Sequence, residues 1–190
     1  MTSDEGLMLE FRGGSRDAFE ELFARYREPI YGFFRRRLAS KERAEDLTQE
    51  TFIAVIRAAS RYEPRAQVRT YLYGIALKLL MAERRKAAKD PADLESVAEP
   101  AEHSAPDSIL WVRQALEKLD AGEREILMLR EYEQLSYSEI AELLRLPVNT
   151  VRSRLFRARI ALRDQLQGTA EPSEQSRREE LTRKEDEASR

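Results

Sequence analysis

The stretch Ser136-Tyr137-Ser138-Glu139-Ile140-Ala141-Glu142-Leu143-Leu144-Arg145-Leu146-Pro147-Val148-Asn149-Thr150-Val151-Arg152-Ser153-Arg154 decides how this chain is read. Ser136 and Glu139 stand at the spacing of a capping box, which opens a helix. Ile140, Ala141 and Leu144 fall on one side of that helix, and Ala141 is small where two helices have to cross closely. Leu146-Pro147 supplies a turn, and proline suits the first turn of the helix that follows. Val151, Leu155 and Leu162 then anchor the second helix to a core. The two helices and their turn form a helix-turn-helix. The outer face of its second helix carries Arg152, Arg154, Arg157, Arg159 and Arg163. Residues 147–163 hold those five basic residues and no acid, a local charge of +5. Such a helix fits the major groove of DNA, where arginine pairs with guanine edges and phosphates. The plainer alternative is a basic face that meets only water. Turn chemistry, a small crossing residue and unbalanced charge coincide here, and together they favour DNA.

Upstream, Ile109, Val112, Leu116 and Leu119 mark one helix, and Ile126, Leu127 and Leu129 another. Farther back, residues 90–107 carry three prolines, the acids Asp90, Asp93, Glu95, Glu99, Glu102 and Asp107, and no lysine or arginine. This composition predicts a flexible acidic linker. The N-terminal half repeats the helical pattern. Phe19, Leu22, Phe23, Tyr26, Ile30, Phe33, Phe34 and Leu38 predict a helix over 16–39 with Ser15 as N-cap, kinked or divided at Pro29. A second helix is expected over 41–60, with Leu47, Phe52, Val55 and Ile56 on its apolar face. After a break at Tyr62-Glu63-Pro64, a third runs from 68 to 88 with Val68, Tyr71, Leu72, Ile75, Leu79 and Leu80 inward. No strand pattern stands out. The fold class is therefore all-α: two small helical domains, 1–89 and 108–167, the second a helix-turn-helix, joined by the linker at 90–107. A charged, aromatic-poor tail over 168–190 is expected to be disordered.

Composition narrows the function. Charged residues make up 36% of the 190, above the ~25% usual for globular domains, which points to thin cores and large polar faces. The net charge of -2 conceals strong local asymmetry. There is no cysteine, hence no disulfide framework or thiol chemistry. The single histidine, His103, lies in the linker, and no glycine-rich phosphate loop or catalytic carboxylate arrangement is present. An enzyme, a metal site and a bound cofactor are therefore not expected. Residues 1–10 do not read as a secretory signal, and no apolar run approaches the ~20 residues that span a bilayer. A cytoplasmic protein without membrane insertion is the expectation.

Two further segments carry chemistry. Residues 57–89 hold nine basic residues against Glu63 and Glu83, a charge of +7. Tyr62, Tyr71 and Tyr73 are interleaved with them. Cations beside rings suit single-stranded DNA, whose phosphates take the charge and whose bases stack. The spacing of Tyr71 and Tyr73 lets only one of them point fully inward. Just before this segment, Glu45, Asp46 and Glu50 line one helical face, which by itself is an ordinary solvated surface.

Three stretches together resemble the extracytoplasmic-function (ECF) sigma factors, the promoter-specificity subunits of bacterial RNA polymerase. They are Asp46-Leu47-Thr48-Gln49-Glu50-Thr51-Phe52, Arg69-Thr70-Tyr71-Leu72-Tyr73-Gly74-Ile75-Ala76, and Leu135 through Arg159. Their order and spacing match that family across roughly residues 10–166. The resemblance implies that Asp46, Leu47, Gln49, Glu50 and Phe52 dock on the clamp helices of the polymerase largest subunit, and that the core partner includes the flap. It implies a role in opening and reading the minus-ten region for Arg61, Tyr62, Arg65, Arg69, Tyr73, Lys78, Arg84 and Arg85. It implies minus-thirty-five contacts for Thr150, Arg152, Ser153, Arg154, Phe156, Arg157 and Arg159. The linker is similar to the connector that threads the polymerase near the RNA exit path, its charge mimicking nucleic acid in a basic channel. An anti-sigma factor is an implied partner. Two positions depart from the family: Tyr71 stands where tryptophan is common, and Lys78 where asparagine is, which removes an amide able to read a base edge. The competing readings are a stand-alone helix-turn-helix regulator, which has no need of the 46–52 helix, and a sigma mimic that titrates a partner, which has no need of five arginines on a recognition helix.

Overall fold

Four serines open helices in this chain. The hydroxyls of Ser3, Ser15, Ser40 and Ser136 each accept the backbone N–H three residues on, at 3.0–3.2 Å. The Asp120 carboxylate accepts from the N–H groups two and three residues on, those of Gly122 and Glu123. Each such cap contributes about 1 kcal/mol by satisfying an N–H that the helix itself leaves unpaired. A computed structural model describes residues 2–64, 66–89 and 107–168, and every regular element among them is helical. The helices are α1 (Asp4–Arg12), α2 (Arg16–Arg35), α3 (Lys41–Ala58), a 3-10 turn (Ala59–Arg61), α4 (Val68–Lys89), α5 (Asp107–Glu117), α6 (Ala121–Glu131), α7 (Tyr137–Leu144) and α8 (Val148–Gly168).

Several expectations change. Helix α2 runs unbroken through Pro29 and ends at Arg35; the proline costs one intrahelical hydrogen bond on an exposed face, while Tyr26, Ile30, Phe33 and Phe34 hold the helix from the buried side. Helix α1 was not anticipated. Ile56 is exposed rather than inward. Asp107 belongs to α5 and Gly168 to α8, not to the linker and tail. The rest of the linker, the tail from 169 and Arg65 lie outside the described residues.

Helices α1 to α4 pack around Met8, Ile30, Phe33, Phe34, Leu47, Val55 and Leu80, all essentially buried. Phe11, Phe19, Phe23 and Phe52 form a chain of ring contacts at 4.8–6.4 Å between centroids. Helices α5 to α8 pack around Ile126, Leu129, Leu135, Ile140, Val151, Leu155 and Ala158. The capping box of α7 is complete: the Glu139 carboxylate accepts the Ser136 N–H at 2.7 Å while Ser136 caps Glu139. The turn to α8 is made at Arg145, whose backbone is left-handed (φ 53°), with the Leu146 N–H donating to the Ala141 carbonyl at 2.9 Å. A side chain in that region costs about 1 kcal/mol or more, which the paired carbonyls offset.

The two helical groups dock on each other. The Arg37 guanidinium donates to Glu125 Oε1 and Glu133 Oε1, both at 2.9 Å, and to the Phe33 carbonyl at 3.0 Å. It also lies over the Phe33 ring at 3.9 Å. The side chains of Arg37 and Glu133 are each 1% exposed. Arg36 takes the second oxygen of Glu133 at 2.8 Å, and Arg84 lies 3.8 Å from Glu125. Removing one partner from a buried ion pair costs about 3–5 kcal/mol because the other charge is left stranded. Arg37→Ala is therefore expected to lower stability to urea by about 3 kcal/mol and to split one unfolding transition into two. A single transition at the wild-type midpoint contradicts this.

Candidate nucleic-acid interface

The second helix of the helix-turn-helix presents its outer face to solvent. Val151, Leu155 and Ala158 fix α8 to the core, so the positions between them point outward. Arg152, Ser153, Phe156, Arg157 and Arg159 are exposed, Phe156 by 66%, and Thr150 and Arg154 are half-buried. An aromatic ring that open to water, flanked by cations, is a contact surface rather than a core element. The arginines are not equivalent. Arg157 binds Glu123 at 2.8 Å, Arg159 binds Glu131 at 2.7 Å, and Arg163 binds Asp164. Arg152 and Arg154 form no ion pair among the described residues. The +5 stretch is thus partly neutralised by acids from α6 and from its own end.

The basic segment of the first helical group meets the helix-turn-helix of the second. A cleft of about 570 Å³ is lined by Arg61, Tyr62, Glu63, Ala66, Thr70, Tyr71 and Lys78 on one side and by Glu142, Leu143 and Arg145 on the other. Glu139 crosses between the groups: it accepts from Thr70 Oγ1 at 3.2 Å and from Arg69 at 3.4 Å. Burial works to raise the Glu139 carboxyl, but Ser136, Arg69 and Thr70 outweigh it and hold it below the ordinary carboxylate range. Arg69 also donates to the Gln134 carbonyl at 2.8 Å.

Tyr73 lies in the core rather than on a face where its ring could meet DNA, and Tyr62 lines the cleft but is only 4% exposed. Both are buried, Tyr73 against Phe33 and Tyr62 against Tyr71. Burial pushes the Tyr73 hydroxyl up to about 12. The half-buried ring is Tyr71, which faces the cleft. Arg61, Lys78, Arg84 and Arg85 are exposed, although Arg84 leans toward Glu125 and burial lowers its pKa.

The α3 face also differs from expectation in part. Asp46, Gln49 and Glu50 are exposed as expected, but Leu47 and Phe52 are buried in the core and offer nothing to a partner. The exposed apolar residues on that face are Ile53 (44%) and Ile56 (49%). The periodicity 46, 49/50, 53, 56 held this signal, since those positions fall on one side of a helix. Arg43 sits among the acids, 3.2 Å from Glu50 and 3.6 Å from Asp46. Its fork grips Glu83 of α4 at 2.7 and 2.8 Å, which raises the pKa of Arg43 and holds that of Glu83 low.

Comparison with known proteins bears on these faces. The region 2 model of sigma-70 matches residues 22–90, and the region 4 model matches residues 109–162. The RNA polymerase sigma-H factor of Pseudomonas aeruginosa is 33% identical over 181 residues, which covers 86% of this chain and 94% of that protein. The chain belongs to the sigma-70 family of RNA polymerase sigma factors. It is also 36% identical to the RNA polymerase sigma factor CarQ of Myxococcus xanthus, over 84% of this chain and 95% of that one. The ECF RNA polymerase sigma-E factor of Escherichia coli is 31% identical over 87% and 95%. The structure of CnrH in complex with the cytosolic domain of CnrY superposes with a TM-score of 0.69 at 27% identity, over 88% of this sigma factor and 99% of that chain. Region 2 takes in α3, α4 and the basic segment; region 4 takes in the helix-turn-helix. Among the described residues no helix is long and apolar enough to cross a membrane.

The inequality among the α8 arginines has a measurable consequence. Arg152 has no acid to leave among the described residues, whereas Arg159 is held by Glu131. Arg152→Ala is expected to weaken duplex promoter binding about tenfold, the scale of one good base-edge pair, and Arg159→Ala clearly less. Fluorescence anisotropy at fixed salt measures both, and equal losses contradict the distinction.

Proposed function

We propose that this ECF-type sigma factor divides its task between its two helical groups. Residues 1–89 dock on core RNA polymerase and read and help to melt the minus-ten region, and residues 108–167 read the minus-thirty-five region. The 90–106 segment connects them, and 169–190 is given no role. The observation that carries this is the outer face of α8, where Arg152, Ser153 and Phe156 stand exposed beside a completed helix-turn-helix. Duplex DNA is read there by hydrogen bonds and apolar contacts in the major groove. On α3, Asp46, Gln49 and Glu50 supply polar contacts to the polymerase clamp helices, and Ile53 and Ile56 supply the apolar surface between them. The cleft at Arg61, Thr70, Tyr71 and Lys78 receives bases from the melted strand, and the basic residues of 57–89, Arg65 included, take its phosphates.

Promoter binding needs a different arrangement of the two groups. Two promoter elements separated by about 25 base pairs lie roughly 85 Å apart along B-form duplex. Groups joined by Arg37 and by Glu139 cannot reach both. The segment 90–106 spans up to roughly 55–60 Å when extended, so the two groups part on the promoter, and Arg69 and Thr70 are then released from Glu139. Core polymerase supplies the holding surfaces. No bond is made or broken; recognition and capture of unpaired bases offset an unpairing cost of a few kcal/mol. The solved relative CnrH is held by a cytosolic protein domain, which supports an inhibitory anti-sigma partner for this chain. It also fits a cytoplasmic place of action.

Run-off transcription with purified core polymerase tests the proposal. The wild-type chain is expected to give transcripts with defined 5′ ends, and Ile53→Glu to lose at least tenfold in core affinity while keeping its helicity. Binding to DNA without restored initiation would favour a stand-alone regulator and overturn the reading, as would failure to bind core or DNA at all.

A further inference from the structure

Helix α1 lies outside both matched family segments, yet it touches both ends of the stretch that joins the 3-10 turn to α4. At one end, the Arg12 guanidinium donates to the carbonyl of Tyr62, 50 residues away, at 3.1 Å. At the other, the Glu5 carboxylate accepts the backbone N–H of Val68, 63 residues away, at 3.2 Å. Val68 is the first residue of α4, and the first turn of α4 holds no acid of its own. The N-terminal N–H groups of a helix lack intrahelical partners, and a carboxylate there is favoured by the helix dipole. Glu5 therefore serves as a cap supplied from a distant helix. Helix α1 is itself held rigidly: Ser3 caps it, Leu7 and Met8 are buried, and the Asp4 carboxylate binds both Arg25 and the Tyr26 hydroxyl of α2.

We infer that Arg12 and Glu5 are positioning residues for minus-ten recognition: they fix Tyr62 and Val68, and through them the cleft wall formed by Arg61, Thr70 and Tyr71. Neither touches the cleft. Their effect is on its shape. A reader whose wall wanders binds any single strand by charge alone, because phosphate contacts are indifferent to sequence and base contacts are not. Loss of either tie therefore lowers discrimination between sequences more than it lowers affinity. The inference rests on the proposed minus-ten role of this cleft.

The test uses the wild-type holoenzyme and a single-stranded oligonucleotide with the minus-ten sequence of a promoter found by mapping 5′ ends, against a scrambled oligonucleotide of equal composition. The ratio of the two Kd values is the readout. Arg12→Ala and Glu5→Ala are expected to lower that ratio at least fivefold, with core binding within twofold of wild type and helicity unchanged. Arg12→Lys, which restores a donor, and Glu5→Gln, which restores an acceptor, are expected to recover more than half of it. The two substitutions act at opposite ends of the segment, so if one chain fails to fold the other decides. An unchanged ratio in folded, core-binding variants overturns the inference, as does unfolding of both, which would make α1 a prop for the whole helical group. A wild-type holoenzyme with no preference between the oligonucleotides instead overturns the minus-ten reading beneath it.

Discussion

One guanidinium with almost no access to water sets the arrangement of this molecule. Arg37 follows the last turn of α2 and reaches into the second helical group, where Glu125 and Glu133 close on it. Charges so placed specify orientation more than they add stability, since desolvation offsets much of their attraction. Mismatched docking leaves at least one of them buried alone. The interface therefore has a sharp preference for one geometry and a modest hold on it. That combination suits a protein whose two parts meet and separate.

Ion pairs and hydrogen bonds join the two groups, with Leu143 set against Gly74 as an apolar contact beside them. Arg69 and Thr70 are held by Glu139, the same residue that completes the α7 capping box. Arg157 and Arg159 lie on α6 carboxylates. By contrast, the α3 face with Ile53 and Ile56 and the outer face of α8 at Arg152 and Phe156 stay open to solvent. The chain thus keeps the exposed α3 face and part of the outer face of α8 available while the cleft beside Tyr71 is shared between the two groups.

Much of this was legible in the sequence, for physical reasons. The Ser136 and Glu139 capping box, the three-and-four spacing of the apolar residues and the charge of the α8 outer face are local signals, set by residues within one or two turns. What stayed hidden depends on distant partners or on an unusual backbone. Helix α1 is short and stands by virtue of Asp4, Leu7 and Met8 packing on α2. The turn at Arg145 lacks the glycine that normally announces a left-handed residue. Arg37 and Glu133 look like surface residues until tertiary structure pairs them. Rings among cations are ambiguous as ligands for bases; only packing shows that Tyr73 is turned into the core and that Tyr71 is the more open of the two tyrosines at the cleft. Leu47 and Phe52 were assigned to a partner on resemblance, although their own periodicity placed them inside.

The two helical groups are docked in the free protein, and the proposed function requires them to part on the promoter. The chain has no cysteine, so dyes attach cleanly at Glu20→Cys on α2 and Gln114→Cys on α5, both exposed. Single-molecule energy transfer between them measures the separation directly. One narrow short-distance population in the free chain, replaced by a long-distance one with core polymerase and promoter DNA, is the expected result. A broad or long distribution in the free chain, or a short distance that persists on the promoter, contradicts the account.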